Sequence, residues 1–218
     1  MPDPAETALI FDLDNTLIHS TIDFIGTRHR LIDLLEAAGV APAARAVLIH
    51  EPIPHLAAMG EAAGEKIGRE MWEIVAAAEA AGLRDAVVVE HAAEVLAELR
   101  ARGYRLAVLT NNARSGVAPK LAALGLDRYF DVVATRTEVP ALKPSPEGIR
   151  YILARLPGVR LSYVIGDAWI DGRAAQEAGA RFIGFGAREA ASRERGVVPW
   201  AWITDLRELL TLELTRGA

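Results

Sequence analysis

The residues of this chain that can do chemistry come in four groups, each at the end of an apolar run. The first is Phe11-Asp12-Leu13-Asp14-Asn15-Thr16-Leu17. Asp12 and Asp14 are two residues apart, a spacing that sends both side chains to one side of an extended strand. Two carboxylates so placed repel, and each raises the other's proton affinity. A hard divalent cation such as magnesium, which takes oxygen ligands, relieves that repulsion. The second group, Leu109-Thr110-Asn111-Asn112, joins a hydroxyl to successive backbone amides. That combination suits the oxygens of a phosphoryl group, above all beside a helix N-terminus. In the third, Leu142-Lys143-Pro144-Ser145-Pro146, prolines restrict the backbone around a lysine that opens a helix. A positive charge held there can offset both a phosphate and an attacking carboxylate. The fourth, Gly166-Asp167-Ala168-Trp169-Ile170-Asp171, carries two acids at i and i+4, a helix-face spacing. It suits Asp167 to binding a cation, with Asp171 beside it. Taken singly, each group also reads as a helix cap, a turn or a surface pair.

The elements that must position these groups are legible as short apolar runs: Ala8 to Phe11, Leu106 to Leu109, Asp131 to Ala134, Tyr163 to Ile165 and Phe182 to Phe185. Each is continuous rather than alternating, as expected of strands covered on both faces of a parallel sheet. Helical patterns lie between them at Ala92 to Arg102, Ser115 to Leu124, Pro146 to Leu156 and Asp171 to Ala178. Each is followed by glycine or proline, the usual stop chemistry. Alternation of strand and helix predicts an α/β fold, a doubly wound parallel sheet with a Rossmann-like core. About 90 residues separate the first strand from the second, far more than one crossover helix needs. The excess, residues 20–89, is alanine-rich and helical in pattern, with a break at Glu51-Pro52-Ile53-Pro54. It predicts a helical domain inserted into a core made of residues 1–19 and 90–218. All four chemical groups then fall at C-terminal strand ends, where open α/β sheets bind ligands. Four unrelated caps and turns would not be expected in that arrangement.

Composition narrows the function. The net charge of -5 argues against a general nucleic-acid binder, which would need a basic face. The absence of cysteine excludes disulfides, zinc-thiolate sites and cysteine nucleophiles. No apolar run approaches the roughly 20 residues needed to span a bilayer, and Met1 to Thr7 lack the pattern of a secretory signal. A cytoplasmic protein without nucleic-acid or membrane partners is expected.

With these groups in this order, the sequence resembles the haloacid dehalogenase superfamily of phosphohydrolases. Asp12-Leu13-Asp14-Asn15-Thr16-Leu17, Thr110, Lys143, and Gly166-Asp167 with Asp171 carry the resemblance. It implies that Asp12 is the nucleophile forming an aspartyl-phosphate, and that Asp14 is the general acid and base. It implies that Thr110, with Asn111 through its backbone amide, binds the phosphoryl group and that Lys143 stabilises Asp12 and the phosphate. Magnesium would be held by Asp12, the Asp14 backbone carbonyl and Asp167, with Asp171 nearby. The resemblance further implies a first strand flanked by the second and fourth, and an insert that works as a mobile cap. Three positions depart from the family pattern: Asn15 stands for the commoner glycine, Ala168 for a serine or threonine, and His19 for an aspartate.

The favoured substrate is a small acidic phosphate ester of the phosphoglycolate kind, by likeness of cap type and size. The alternatives are a phosphomutase acting on a sugar phosphate and a non-catalytic binding protein on the same fold. A phosphonatase would need an imine-forming cap lysine, and only Lys66 is available in the insert. A dehalogenase does not require Asp14. Arg28, His29, His50 and His55 of the insert, and Arg114 beyond the second group, are candidate substrate contacts. Trp200 and Trp202 suit either core or interface, so the sequence leaves the oligomeric state open.

Overall fold

The structure is a computed structural model, and it describes residues 3–215. The expected ends of the core, residues 1–2 and 216–218, lie outside the described residues. In chain order the elements begin with β1 (Thr7–Phe11), β2 (Ile18–His19), α1 (Phe24–Ala37), α2 (Arg45–Leu48), α3 (Ile53–Ala63) and α4 (Glu65–Arg84). Next come β3 (Val87–Val88), α5 (Ala92–Ala101), β4 (Arg105–Leu109), α6 (Arg114–Ala123), β5 (Val132–Ala134) and α7 (Glu147–Leu153). The chain closes with β6 (Leu161–Gly166), α8 (Trp169–Ala178), β7 (Arg181–Phe185), α9 (Glu189–Glu194) and β8 (Ala201–Ile203). Two compact units result: the described residues up to Ser20 with those from Ala86 onward, and Thr21–Asp85.

The first unit is built on a six-stranded sheet in the order β5-β4-β1-β6-β7-β8. Every pairing in it is parallel. β1 lies between β4 and β6, the second and fourth apolar runs, as expected. The chain thus winds outward from β1 in both directions, and the C-terminal ends of β1, β4 and β6 meet where the winding reverses. β1 is buried along its whole length because helices cover both faces. On one face Ile10, Leu109 and Val164 pack with Ile149 and Ile152 of α7 and Ala174 of α8. The sequence reading lacked the edge strand β8, whose three residues pair with Ile183, Gly184 and Phe185. Trp200, which is exposed, precedes it and stands edge-on to Tyr163, while the partly buried Trp202 within it stands edge-on to Phe182. Trp202 Nε1 also donates to Gly186 O at 2.7 Å. β2 and β3 form a small antiparallel pair, and Val89 N donates to Leu17 O at 2.9 Å. These bonds place residues 86–89 in the first unit.

The second unit is helical throughout. Asp23 starts α1 by accepting a hydrogen bond from Gly26 N at 2.7 Å. The proline break predicted near residue 52 is the start of α3, where Pro54 costs no hydrogen bond because first-turn amides have no helical acceptor. Leu31, Ile32 and Leu35 of α1, Leu48 of α2, Leu56 of α3, and Met71 and Val75 of α4 form its core. α3 and α4 approach closely at Gly68, where an added Cβ would lie 2.9 Å from Glu61 Cα. Among the described residues, no helix is long and apolar enough to cross a membrane.

Candidate active site

The first, second and fourth groups leave β1, β4 and β6 at the same end of the sheet, and Lys143 comes from the loop between β5 and α7. Asp12 directly follows β1, and its N–H still donates to Ile165 O at 2.8 Å, which fixes where its side chain begins. The chain then turns at Asn15, whose φ of +59° lies in the left-handed region that asparagine tolerates. This is the position where the family more often carries glycine, and the two residues share that tolerance. Thr110 follows β4, with its N–H donating to Ala134 O at 3.1 Å. Asp167 follows β6 and Asp171 lies in the first turn of α8, which starts two residues before the predicted Asp171. Asp171 therefore is not the residue before the helix: its Oδ2 reaches back to accept from Ala168 N at 3.1 Å. Gly166 makes room for it, since a Cβ there would sit 2.5 Å from the Asp171 carboxyl carbon.

Lys143 draws these parts together. Its ammonium is buried and donates three hydrogen bonds: to Asp12 Oδ1 at 2.5 Å, to Asp171 Oδ1 at 2.6 Å and to Leu109 O at 2.9 Å. Three donors meeting three acceptors leave the group no freedom to turn. The loop that carries it is held by Asn111, whose side chain makes a reciprocal pair with the Lys143 backbone. Asn111 Nδ2 donates to Lys143 O at 3.0 Å, and Lys143 N donates to Asn111 Oδ1 at 2.9 Å. The Lys143–Pro144 peptide is cis.

The acids outnumber that single cation. One carboxylate oxygen from each of Asp12, Asp167 and Asp171 lies within 4.8 Å of the others, and all three residues are buried. Burial pushes the Asp12 carboxyl well above its usual range; Lys143 pulls against this, while Asp171, Asp167 and Asp14 add to it. Burial likewise raises Asp14. Asp167 is pushed up to about 6 by burial and by Asp171, against Arg188 and Lys143. Burial alone would lower Lys143, but Asp12 and Asp171 outweigh it, so the group stays an ammonium. One ammonium shared by two acids cannot offset the rest, which is why Asp12 is raised despite its ion pair. An all-oxygen set of crowded carboxylates fits a hard divalent cation. The buried Asp14 Oδ1, which has no hydrogen-bond partner in the chain, points to the same deficit.

The expected residues Asp12, Asp14, Lys143, Asp167 and Asp171 thus converge, with Thr110 and Asn111 at the adjoining strand end. Three contacts of this cluster lay beyond the sequence reading. Asn112 Nδ2 donates to Asp14 Oδ2 at 2.7 Å. Arg188, three residues past β7, donates from Nη1 to Asp167 Oδ2 at 2.9 Å. Thr16 Oγ1 lies 3.4 Å from Asp12 Oδ2. A polar residue just past a strand was the available signal for Asn112 and Arg188. Arg114, a candidate substrate contact, is engaged instead by Glu138 and by Val133 O at 2.9 Å. In the second unit, Arg28 Nε donates to Glu51 O at 2.9 Å and His55 pairs with Glu51 at 3.1 Å. His29 Nδ1 lies 3.3 Å from Arg45, while His50 and Lys66 are exposed.

The haloacid dehalogenase-like hydrolase family model matches residues 9–185. The chain belongs to that family. The phosphoglycolate phosphatase of Cereibacter sphaeroides is 31% identical over 197 residues, covering 85% of this chain and 88% of the relative. A structure described as a predicted phosphoglycolate phosphatase of Haemophilus somnus shares the fold with a TM-score of 0.64 at 22% identity, covering 94% of this chain and 96% of that one. The HAD-hydrolase YfnB of Bacillus subtilis, solved with bound magnesium, superposes with a TM-score of 0.59 at 17% identity, covering 94% and 96%. Within the haloacid dehalogenase-like hydrolases, the sequence relatives group this chain with phosphoric monoester hydrolases.

Proposed function

We propose that the protein is a magnesium-dependent phosphatase for a small acidic phosphate monoester of the phosphoglycolate kind, working through an aspartyl-phosphate on Asp12. The buried ion pair of Lys143 with both Asp12 and Asp171 carries the reading. It joins the third group of the sequence to the first and fourth and leaves the acids short of positive charge.

Asp12, Asp167, Asp171 and the Asp14 backbone carbonyl would hold the magnesium ion. When bound, it supplies positive charge that offsets the repulsion between Asp12 and the phosphate. Lys143 orients the Asp12 carboxylate and adds charge from the other side. Thr110 has its hydroxyl oxygen occupied by Asn112 N at 3.2 Å, so its proton is free to donate to a phosphoryl oxygen. In the first displacement an Asp12 oxygen bonds to phosphorus while the bond from phosphorus to the ester oxygen breaks. Asp14 gives its proton to that leaving oxygen, a role favoured by the burial that raises its proton affinity. In the second, Asp14 takes a proton from water, the water oxygen bonds to phosphorus, and the bond to Asp12 breaks. Asp14 ends protonated, Asp12 ends free, and inorganic phosphate leaves. The helical unit Thr21–Asp85 serves as the cap that selects substrate and excludes bulk water in the first displacement.

The test is phosphate release from 2-phosphoglycolate and a panel of phosphorylated metabolites, with magnesium and with chelator. Rapid quench and peptide mapping should find the labelled phosphate on the peptide containing Asp12. Turnover that survives exhaustive metal removal, or a label found elsewhere, would overturn the proposal.

A further inference from the structure

Asp14 and Asn112 lie 98 residues apart in sequence and meet at a single hydrogen bond of 2.7 Å, Asn112 Nδ2 to Asp14 Oδ2. Both side chains are buried. Asn112 is fixed from both ends of its own peptide units: its N–H donates to Thr110 Oγ1 at 3.2 Å, and its carbonyl accepts from Arg136 N at 2.9 Å. Its amide therefore approaches Asp14 from a set direction. The other carboxyl oxygen of Asp14, Oδ1, is buried without a hydrogen-bond partner. The Ser20 hydroxyl makes no hydrogen bond of good geometry, yet it lies close enough to Asp14 to favour the carboxylate, as Asn112 does.

A carboxylic acid has one hydroxyl oxygen and one carbonyl oxygen, and the carbonyl oxygen is the better acceptor of an N–H. When Asp14 carries a proton, a donor fixed on Oδ2 favours Oδ2 as the carbonyl oxygen and Oδ1 as the hydroxyl. We propose that Asn112 is a positioning residue: it holds Asp14 so that Oδ1 delivers the proton to the leaving oxygen and later takes one from water. The inference rests on the reading of Asp14 as acid and base given above. It assigns Asn112 a task distinct from phosphate binding, although it neighbours Thr110 and Asn111.

Leaving-group chemistry separates this task from packing. An alkyl phosphate such as 2-phosphoglycolate expels an alkoxide that needs a proton, whereas p-nitrophenyl phosphate expels a stable phenolate that does not. The ratio kcat/KM reports steps through the first displacement and is blind to the later hydrolysis. Asn112→Ala should lower kcat/KM at least about 10-fold more on the alkyl ester than on the aryl ester, within the usual range for acid catalysis. Asn112→Leu, close in volume and without a donor, should show the same split, and it carries the test if the alanine variant fails to fold. Asp14→Asn is the reference and should give the largest split. Equal losses on both esters in the Asn112 variants, with the split intact in Asp14→Asn, would overturn the positioning role alone. A missing split in Asp14→Asn would remove the acid assignment and the role of Asn112 with it.

Discussion

The sheet carries an acid–base cluster at each end, and they have opposite electrostatics. At the N-terminal ends of β4 and β5, Asp131 pairs with Arg100 at 2.7 Å and Arg105 at 3.3 Å, and accepts from Leu106 N at 2.9 Å. Burial would raise its pKa, yet the Leu106 amide and the two arginines together bring it below the ordinary carboxylate range. At the C-terminal ends, Asp12, Asp14 and Asp167 are all raised, because burial and neighbouring acids outweigh the cations available. The same residue types thus give a satisfied brace at one end and a strained cluster at the other. Perturbed carboxylates that the fold leaves unbalanced are what a cation and a phosphoryl group would stabilise, so under the proposed function the imbalance belongs to the chemistry rather than to the stability of the fold.

The sharpest way to break this contrast is to remove Asp12, the proposed nucleophile. Asp12→Asn should eliminate turnover, a fall of at least about 10³-fold of the kind seen when covalent catalysis is lost. Because the charged form of Asp12 is disfavoured by burial and three acids, the metal-free variant should melt no lower than wild type at pH 7. A clear drop in its melting temperature would mean that Asp12 braces the fold as Asp131 does. Removing the cation should act in the reverse sense. Lys143→Met leaves Asp12 and Asp171 buried without their shared partner, at a cost of about 3–5 kcal/mol. Denaturant unfolding of the metal-free variant checks this, and a loss below about 1 kcal/mol would contradict it.

Proton linkage sharpens the contrast further. Asp167 is at about 6 in the fold against an ordinary 3.8, so between those values the native state holds the proton more tightly than the unfolded chain. Its contribution to metal-free stability is full below pH 3.8 and is lost as the pH rises through 6, by at most about 3 kcal/mol. Asp12 and Asp14 shift in the same direction. A bound divalent cation needs the deprotonated forms, so the rise in melting temperature on adding magnesium should be small at pH 5 and large at pH 7.5. An equal rise at both would show that the ion binds outside these acids.

Much of this was readable from the chain because parallel strands buried on both faces appear as unbroken apolar runs, and the residue after each run marks a strand end. That logic located β1, β4, β5, β6 and β7 and the groups that follow them. It failed for β8, whose three residues are too few to show a pattern, with Trp202 inside it and Trp200 beside it suiting several environments. It also failed wherever a partner is supplied by tertiary structure alone. Asn111 shows this: its backbone amide is expected at the phosphate, but nothing in its spacing announces that its side chain binds the Lys143 backbone 32 residues away. Asn112 and Arg188 likewise reach Asp14 and Asp167 only because β4 and β7 flank β1 and β6, a matter of strand order that no local spacing encodes.

The brace at the other end supplies the smallest effect and the control for the rest. Asp131→Asn keeps the shape of the side chain and removes a charge that both arginines and an amide favour. Since Arg100 and Arg105 are about one-third exposed, solvent screens much of the attraction, and the loss should be about 1 kcal/mol. For a chain of this length that lowers the melting temperature by about 2–4 °C. The sign with pH is opposite to that of Asp167. A lowered carboxylate contributes stability above its unfolded pKa and loses it as the pH falls through the folded value. The gap between wild type and Asp131→Asn should therefore be full at pH 7 and shrink below pH 3.8. Phosphate release by the variant should stay within about 2-fold of wild type, since Asp131 lies at the opposite strand ends from Asp12 and a surface-type substitution has little reach. If Asp131→Asn instead changed the rise in melting temperature on adding magnesium, the two clusters would be coupled through β4, and the division into a brace and a proposed reacting centre would not hold.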